Sequence, residues 1–210
     1  MTDVEAIVRS HCSAYTSLAH EYEARVQTLH ACTERAVSGL AAHLPLASSV
    51  LDVGCGTGSA MRLLRRHGYD VQGIDISPAM LSYARRRNPG ATLINSDFIS
   101  YEFDCNFDGV IALAFIHLYP QDIATGLLSK MFALLRVGGV LYVGTTKSSH
   151  SIEGFRPKVG FGSRVHRFRK DWLQTDFENA LLTLGFQIVS LEEIVDPYDK
   201  IWMDYVAKRC

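Results

Sequence analysis

Residues Val50 to Ser59 read Val-Leu-Asp-Val-Gly-Cys-Gly-Thr-Gly-Ser. An apolar run enters three glycines at alternate positions. Such a pattern turns a buried strand sharply into a helix and lets a ligand approach the backbone closely. Asp52 stands just before the first glycine. A loop built for pyrophosphate attracts anions with amide N–H groups and a helix N-terminus. A carboxylate beside that cradle repels phosphate and suits a cation. Asp52, Gly54, Gly56 and Gly58 therefore point to a nucleoside ligand without phosphates and with positive charge. Asp75 follows about twenty residues beyond the turn, at the end of a second apolar run, where a carboxylate can accept both ribose hydroxyls. Each such bond to a charged acceptor contributes roughly 1.5–3 kcal/mol.

S-adenosylmethionine, with its sulfonium and ammonium, fits that description. Four further segments follow in order: Gly73-Ile74-Asp75-Ile76-Ser77, Asn95-Ser96-Asp97-Phe98, Phe107-Asp108-Gly109-Val110-Ile111-Ala112-Leu113 and Leu134-Leu135-Arg136-Val137-Gly138-Gly139-Val140-Leu141. Together with the glycine loop they resemble the five motifs of class I S-adenosylmethionine-dependent methyltransferases of small-molecule type. The resemblance covers about Val50 to Thr146 well and the flanks loosely. It implies that Asp97 accepts the adenine amino group and that Ile76 and Met80 flank the ring. Phe98 and Leu113 complete the cofactor site, and the Gly54 carbonyl faces the ammonium. It also implies an N-terminal helix closing over the cofactor. Tyr15 and Tyr22 share one face of that helix, where a tyrosine can meet the sulfonium through a cation–π contact. His117, after the fourth strand, has the pKa of a general base for a hydroxyl or protonated amine. His117 and Tyr22 are thus the catalytic candidates; His150 and His166 are weaker ones.

The elements that must position these residues alternate regularly. Helical spacing covers about Val4 to Leu44 and closes at Pro45. Strands are expected at Val50–Val53, Val71–Asp75, Thr92–Asn95, Gly109–Leu113 and Val140–Gly144. Helices are expected at Ala60–His67, Pro78–Arg87 and Ile123–Leu135. A last helix, from about Lys170 to Leu184, precedes strands Phe186–Glu192 and Ile201–Ala207, with turn chemistry at Asp196-Pro197-Tyr198-Asp199. The fold class is α/β: a doubly wound, mostly parallel seven-stranded sheet of the Rossmann-like methyltransferase type, with N-terminal helices and a C-terminal antiparallel hairpin. A single domain is expected over 1–210, with 1–45 as a helical cap and 146–170 as a basic loop or lid.

That last segment holds Lys147, Arg156, Lys158, Arg164, Arg167, Arg169 and Lys170 against one acid, Glu153. Guanidinium forks at Arg156, Arg164, Arg167 or Arg169 suit a carboxylate or phosphate on a small substrate. The plainer alternative is a solvated loop whose charges pair with the acidic tail.

Formal net charge is −1 over 210 residues, which excludes a chain-wide affinity for nucleic acid. No apolar run has the length of a membrane span, and Met1 to Ser10 lack the pattern of a secretory signal. Five scattered cysteines outside any Cys-x-x-Cys pair fit a reduced, cytoplasmic compartment and no metal site. The strand-four end, Leu113-Ala114-Phe115-Ile116, is not the Asn-Pro-Pro-Tyr type of nucleic-acid amino methyltransferases. The expected partner is a small molecule, methylated at oxygen or nitrogen by a monomer or homodimer. Alternatives are an enzyme that consumes S-adenosylmethionine by intramolecular attack, releasing methylthioadenosine, and a non-catalytic binding module. A nicotinamide dehydrogenase is disfavoured by Asp52.

Overall fold

A computed structural model of the chain describes residues 3–158 and 165–210. Helices α1 (Val4–Ala24) and α2 (His30–Ala41) come first. Asp3 Oδ1 accepts the Ala6 N–H at 3.1 Å, satisfying one of the donors that a helix start leaves unpaired. Then β1 (Ser49–Val53), α3 (Ser59–Arg66), β2 (Asp70–Asp75), α4 (Pro78–Arg87) and β3 (Thr92–Asn95) alternate. They are followed by β4 (Phe107–Leu113), α5 (Gln121–Leu134) and β5 (Leu135–Thr146). A hairpin of β6 (Ile152–Pro157) and β7 (His166–Asp171) precedes α6 (Gln174–Thr183), β8 (Phe186–Val195) and β9 (Ile201–Arg209).

Seven strands form one sheet in the order β3-β2-β1-β4-β5-β9-β8, and β6 and β7 pair separately. The first five are parallel, and β9 runs antiparallel to both β5 and β8. Alternate residues feed opposite faces, as a pleated strand requires. Val110, Leu141 and Val143 pack into a cluster with α5 and α6, while Ile111, Val140 and Tyr142 pack toward α2 and α3. The strand order reverses between β1 and β4, so the loops after them diverge and open a crevice at the carboxyl ends of the strands.

Helix α4 starts with Pro78 at N1 behind Ser77, whose Oγ accepts the Met80 N–H at 3.2 Å. Thr16 Oγ1 of α1 meets the same Ser77 Oγ at 3.0 Å, tying the N-terminal helix to the sheet beside the crevice.

The doubly wound sheet, the terminal hairpin and the N-terminal helices, two of them with a break between Ala24 and His30, agree with the expectation; two local features differ. The basic segment is not an open loop through its described residues, because Ile152–Pro157 and His166–Asp171 pair in antiparallel register. The last helix consequently begins at Gln174 rather than Lys170. Lys170 is claimed by β7 and buried on the hairpin, 3.0 Å from Ser151 Oγ and 4.7 Å from the Trp172 ring.

Candidate functional site

Three backbone features build the first cavity. Gly54, Gly56 and Gly58 all take positive φ (70°, 54° and 78°), which side chains resist. The Gly54 and Cys55 N–H groups both donate to Ile74 O, at 2.9 and 3.1 Å, and pin the loop to β2. The Gly56 N–H donates to Asp75 Oδ2 at 2.9 Å, and the Ser77 N–H donates to Asp75 Oδ1 at 2.8 Å. Asp75 is thereby held in one orientation with lone pairs left for a ligand. Burial pushes its carboxyl up to about 6, although both amide bonds favour the charged form. A Cβ on Gly56 would meet only Gly54 O, at 3.9 Å, so the space before it is the cavity itself.

Ile76, Met80 and Asp97 line this cavity with Asp75, and Phe98, Leu113, Tyr15 and Tyr22 close it. Asp97 has a second task, since its carboxylate accepts the Ser100 N–H at 2.8 Å and Oγ–H at 2.6 Å. These residues fit a nucleoside with a ribose diol and an apolar-flanked base.

Two expected site residues stand elsewhere. Asp52 is 3% exposed and does not line the cavity; it lies behind the loop, against the Met61 backbone N–H in the first turn of α3. Burial, then the neighbouring Asp75, pushes its carboxyl up to about 7. It is therefore a buried group sensitive to neutral pH, not a fixed charge beside the ligand. Gly58 serves packing: a Cβ there would lie 2.5 Å from Asn88 Nδ2 and 3.0 Å from Ala84. Asn88 Nδ2 donates to Gly58 O at 2.9 Å, locking α3 to α4.

A second cavity adjoins the first, and Tyr15, Tyr22, Leu113 and Ala114 line both. The two tyrosine rings lie 5.7 Å apart, with Lys158 Nζ 5.1 Å from the centre of Tyr22 and 6.0 Å from that of Tyr15. Ala114 takes φ of 55°, a conformation uncommon for a residue with a Cβ, where β4 ends between the two spaces. Arg25, Lys158, Arg167, Arg169 and Lys200 line the second cavity, and Asp196 and Asp204 are the carboxylates among its described lining. Asp196 accepts from the Tyr198 and Lys200 N–H groups and from Trp202 Nε1, stabilising the turn between β8 and β9. Asp204 accepts the Tyr142 hydroxyl at 2.9 Å, and burial pushes its carboxyl up to about 6. The cavity is therefore electropositive.

His117 lies in this second cavity, 3% exposed, its ring 5.7 Å from that of Trp202 in an edge arrangement. Burial, then Arg169, Arg167, Lys158 and Lys200, holds its pKa well below 6.5, so it is neutral. Its Nδ1 is buried without a hydrogen-bond partner. His150 and His166 are exposed and line neither cavity. Arg164 lies outside the described residues.

Sequence reasoning missed His11, Trp202 and Lys200. His11 lines the first cavity, and its Nε2 meets Phe168 O at 3.4 Å. It falls on the Tyr15–Tyr22 face of α1 at helical spacing, a signal that was present. Trp202 and Lys200 are placed by the terminal hairpin, and no local pattern announces them.

Residues 50–139 match a family model described as a methyltransferase domain. The dTDP-3-amino-3,6-dideoxy-alpha-D-glucopyranose N,N-dimethyltransferase of Streptomyces fradiae is 36% identical over 103 residues, 48% of this chain and 40% of that protein. The trans-aconitate 2-methyltransferase of Paracidovorax citrulli is 37% identical over 108 residues, 50% of this chain and 42% of that one. The chain spans less than half the length of these relatives. Among solved structures, the Burkholderia thailandensis 1,6-didemethyltoxoflavin-N1-methyltransferase, with bound 1,6-didemethyltoxoflavin and S-adenosylhomocysteine, has a TM-score of 0.82. That likeness covers 100% of this chain and 91% of that one at 19% identity, and shows a common fold. Motif order and sheet topology agree with the family match: residues 50–139 carry the methyltransferase-domain pattern on a Rossmann-like methyltransferase fold.

Proposed function

We propose that this chain transfers the methyl group of S-adenosylmethionine to an oxygen or nitrogen of a small, negatively charged molecule seated in the second cavity. The observation that carries this reading is the shared wall: Tyr15, Tyr22, Leu113 and Ala114 face both spaces, so ligands in the two meet there. An intramolecular reaction of the cofactor needs no second cavity, and a cationic one would serve it poorly.

When bound, S-adenosylmethionine supplies a methyl group already activated by its sulfonium. The chain's own task is alignment, worth up to about 7–11 kcal/mol in ideal cases. Asp75 accepts the ribose hydroxyls, Ile76 and Met80 flank the adenine, and Asp97 takes its amino group. Tyr22 lies at the junction, where its ring faces the transferred group. His117, neutral and with Nδ1 unpaired, orients the nucleophile by a hydrogen bond, and the cations around it disfavour its own protonation.

Mass spectrometry of the protein incubated with methyl-labelled S-adenosylmethionine, with and without a metabolite extract, tests the reading. S-adenosylhomocysteine and one labelled, anionic product that both depend on extract support it. Methylthioadenosine formed without extract, above the enzyme-free rate, overturns it.

A further inference from the structure

The cations of the hairpin are not equivalent. Arg156 Nη1 donates to Asp171 Oδ2 at 2.7 Å, and Arg169 Nε donates to Asp171 Oδ1 at 3.1 Å. Arg169 Nη2 also donates to Thr146 Oγ1 at 2.6 Å. One carboxylate, Asp171, the first acid of the stretch that follows Lys170, thus holds two guanidinium groups. Lys147 pairs farther along the same stretch, at Glu193.

Arg167 differs. It is 6% exposed and lines the second cavity, yet its Nε and Nη1 are buried without hydrogen-bond partners. A buried guanidinium left in this state loses solvation at both atoms and receives nothing in return. Its neighbours make matters worse, because Lys158, Arg169 and Lys200 line the same space. Burial, and then the charges of Arg167, Lys200, Arg169 and Arg25, push the Lys158 ammonium down to about 6. A ligand bearing the opposite charge in the cavity that Arg167 lines supplies the missing counterpart.

From this arrangement we infer that Arg167 is the anchor for an oxyanion of the methyl acceptor, a carboxylate or a phosphate, held by the guanidinium fork with Lys158 and Lys200 alongside. This rests on the proposed function and narrows its substrate class. A neutral amine or sugar hydroxyl alone leaves the two nitrogens of Arg167 unsatisfied. A carboxylate or phosphate engages one edge of the planar guanidinium, Nη1 with Nη2 or Nε with Nη2, and supplies the opposite charge.

The test uses the full chain saturated with S-adenosylhomocysteine, titrated calorimetrically with benzoate and with inorganic phosphate at constant ionic strength. Wild type is expected to bind at least one of the two, and the preferred probe tells carboxylate from phosphate. Arg167→Met should weaken that binding at least tenfold, and Arg167→Lys by a smaller factor, because charge remains while the fork is lost. Arg156→Met, which removes a paired arginine outside the cavity, should leave it within twofold. Removing Arg167 relieves repulsion among the cations, so Arg167→Met should not lower the urea midpoint. Wild type that binds neither probe, or Arg167→Met that binds as wild type does, overturns the inference. Failure of S-adenosylhomocysteine itself to bind strikes instead at the methyltransferase reading, so the two failures are distinguishable.

Discussion

The Gly56 N–H of the loop after β1 and the Asp75 carboxylate at the end of β2 are joined at 2.9 Å. One side chain therefore fixes the glycine loop and presents itself to the ribose. Asp75→Ala removes both functions and should weaken S-adenosylhomocysteine binding at least about tenfold, since each lost charged hydrogen bond is worth that much or more. Calorimetric titration checks it, and unchanged affinity would remove the ribose from this position.

The same carboxylate gives cofactor binding a pH limit. Hydroxyl donors favour ionised Asp75, whose pKa in the free protein is raised to about 6. Affinity should be flat above that value. Below it protons compete, and affinity should fall by up to about tenfold per pH unit. Titrations from pH 5 to 8 measure the slope, and an affinity that rises on acidification contradicts the assignment.

Anion binding should show the opposite trend at Lys158. Tyr15 and Tyr22 face this ammonium from α1, Arg25 from just beyond it, Arg167 and Arg169 from β7, and Lys200 from the turn before β9. Asp196 and His117 line the same space. With a pKa pushed down to about 6, Lys158 is mostly neutral at pH 7.5, and a bound anion favours its protonation. Benzoate binding at pH 7.5 should therefore take up a proton, and affinity should decline as pH rises above about 6. Calorimetry in two buffers of different ionisation enthalpy detects the uptake, which Lys158→Met should abolish.

Gly58→Ala tests the packing role of the third glycine. Its φ of 78° and the 2.5 Å approach to Asn88 Nδ2 resist a methyl group on two separate grounds. Left-handed backbone strain and overpacking together predict a loss of roughly 2–4 kcal/mol. Urea denaturation should show a lower midpoint with an unchanged slope, and a neutral substitution would contradict the packing account.

The strands and helices from Val50 to Gly144 were legible because each carries its own apolar period and a Gly or Pro stop. Asp75 and the glycines were legible because their tasks are local to one turn. Asp52 misled for a physical reason. Sequence places a carboxylate beside the loop but does not say which side of it the side chain takes, and the first turn of α3 offers an unpaired N–H behind. The hairpin of β6 and β7 is hidden in the sequence because Gly154 and Pro157 interrupt one strand and the consecutive charges Arg169, Lys170 and Asp171 break the period of two in the other. Lys200 and Trp202 reach the cavity only through the order of β5, β9 and β8, which no single segment encodes.

Helix α1 contributes Tyr15 and Tyr22 to both cavities and is moored to the sheet through the Thr16–Ser77 contact. Whatever orders that helix for one ligand has already met part of the ordering cost for the other. The two binding free energies are then coupled, and the coupling is reciprocal: acceptor tightens cofactor by the same factor that cofactor tightens acceptor.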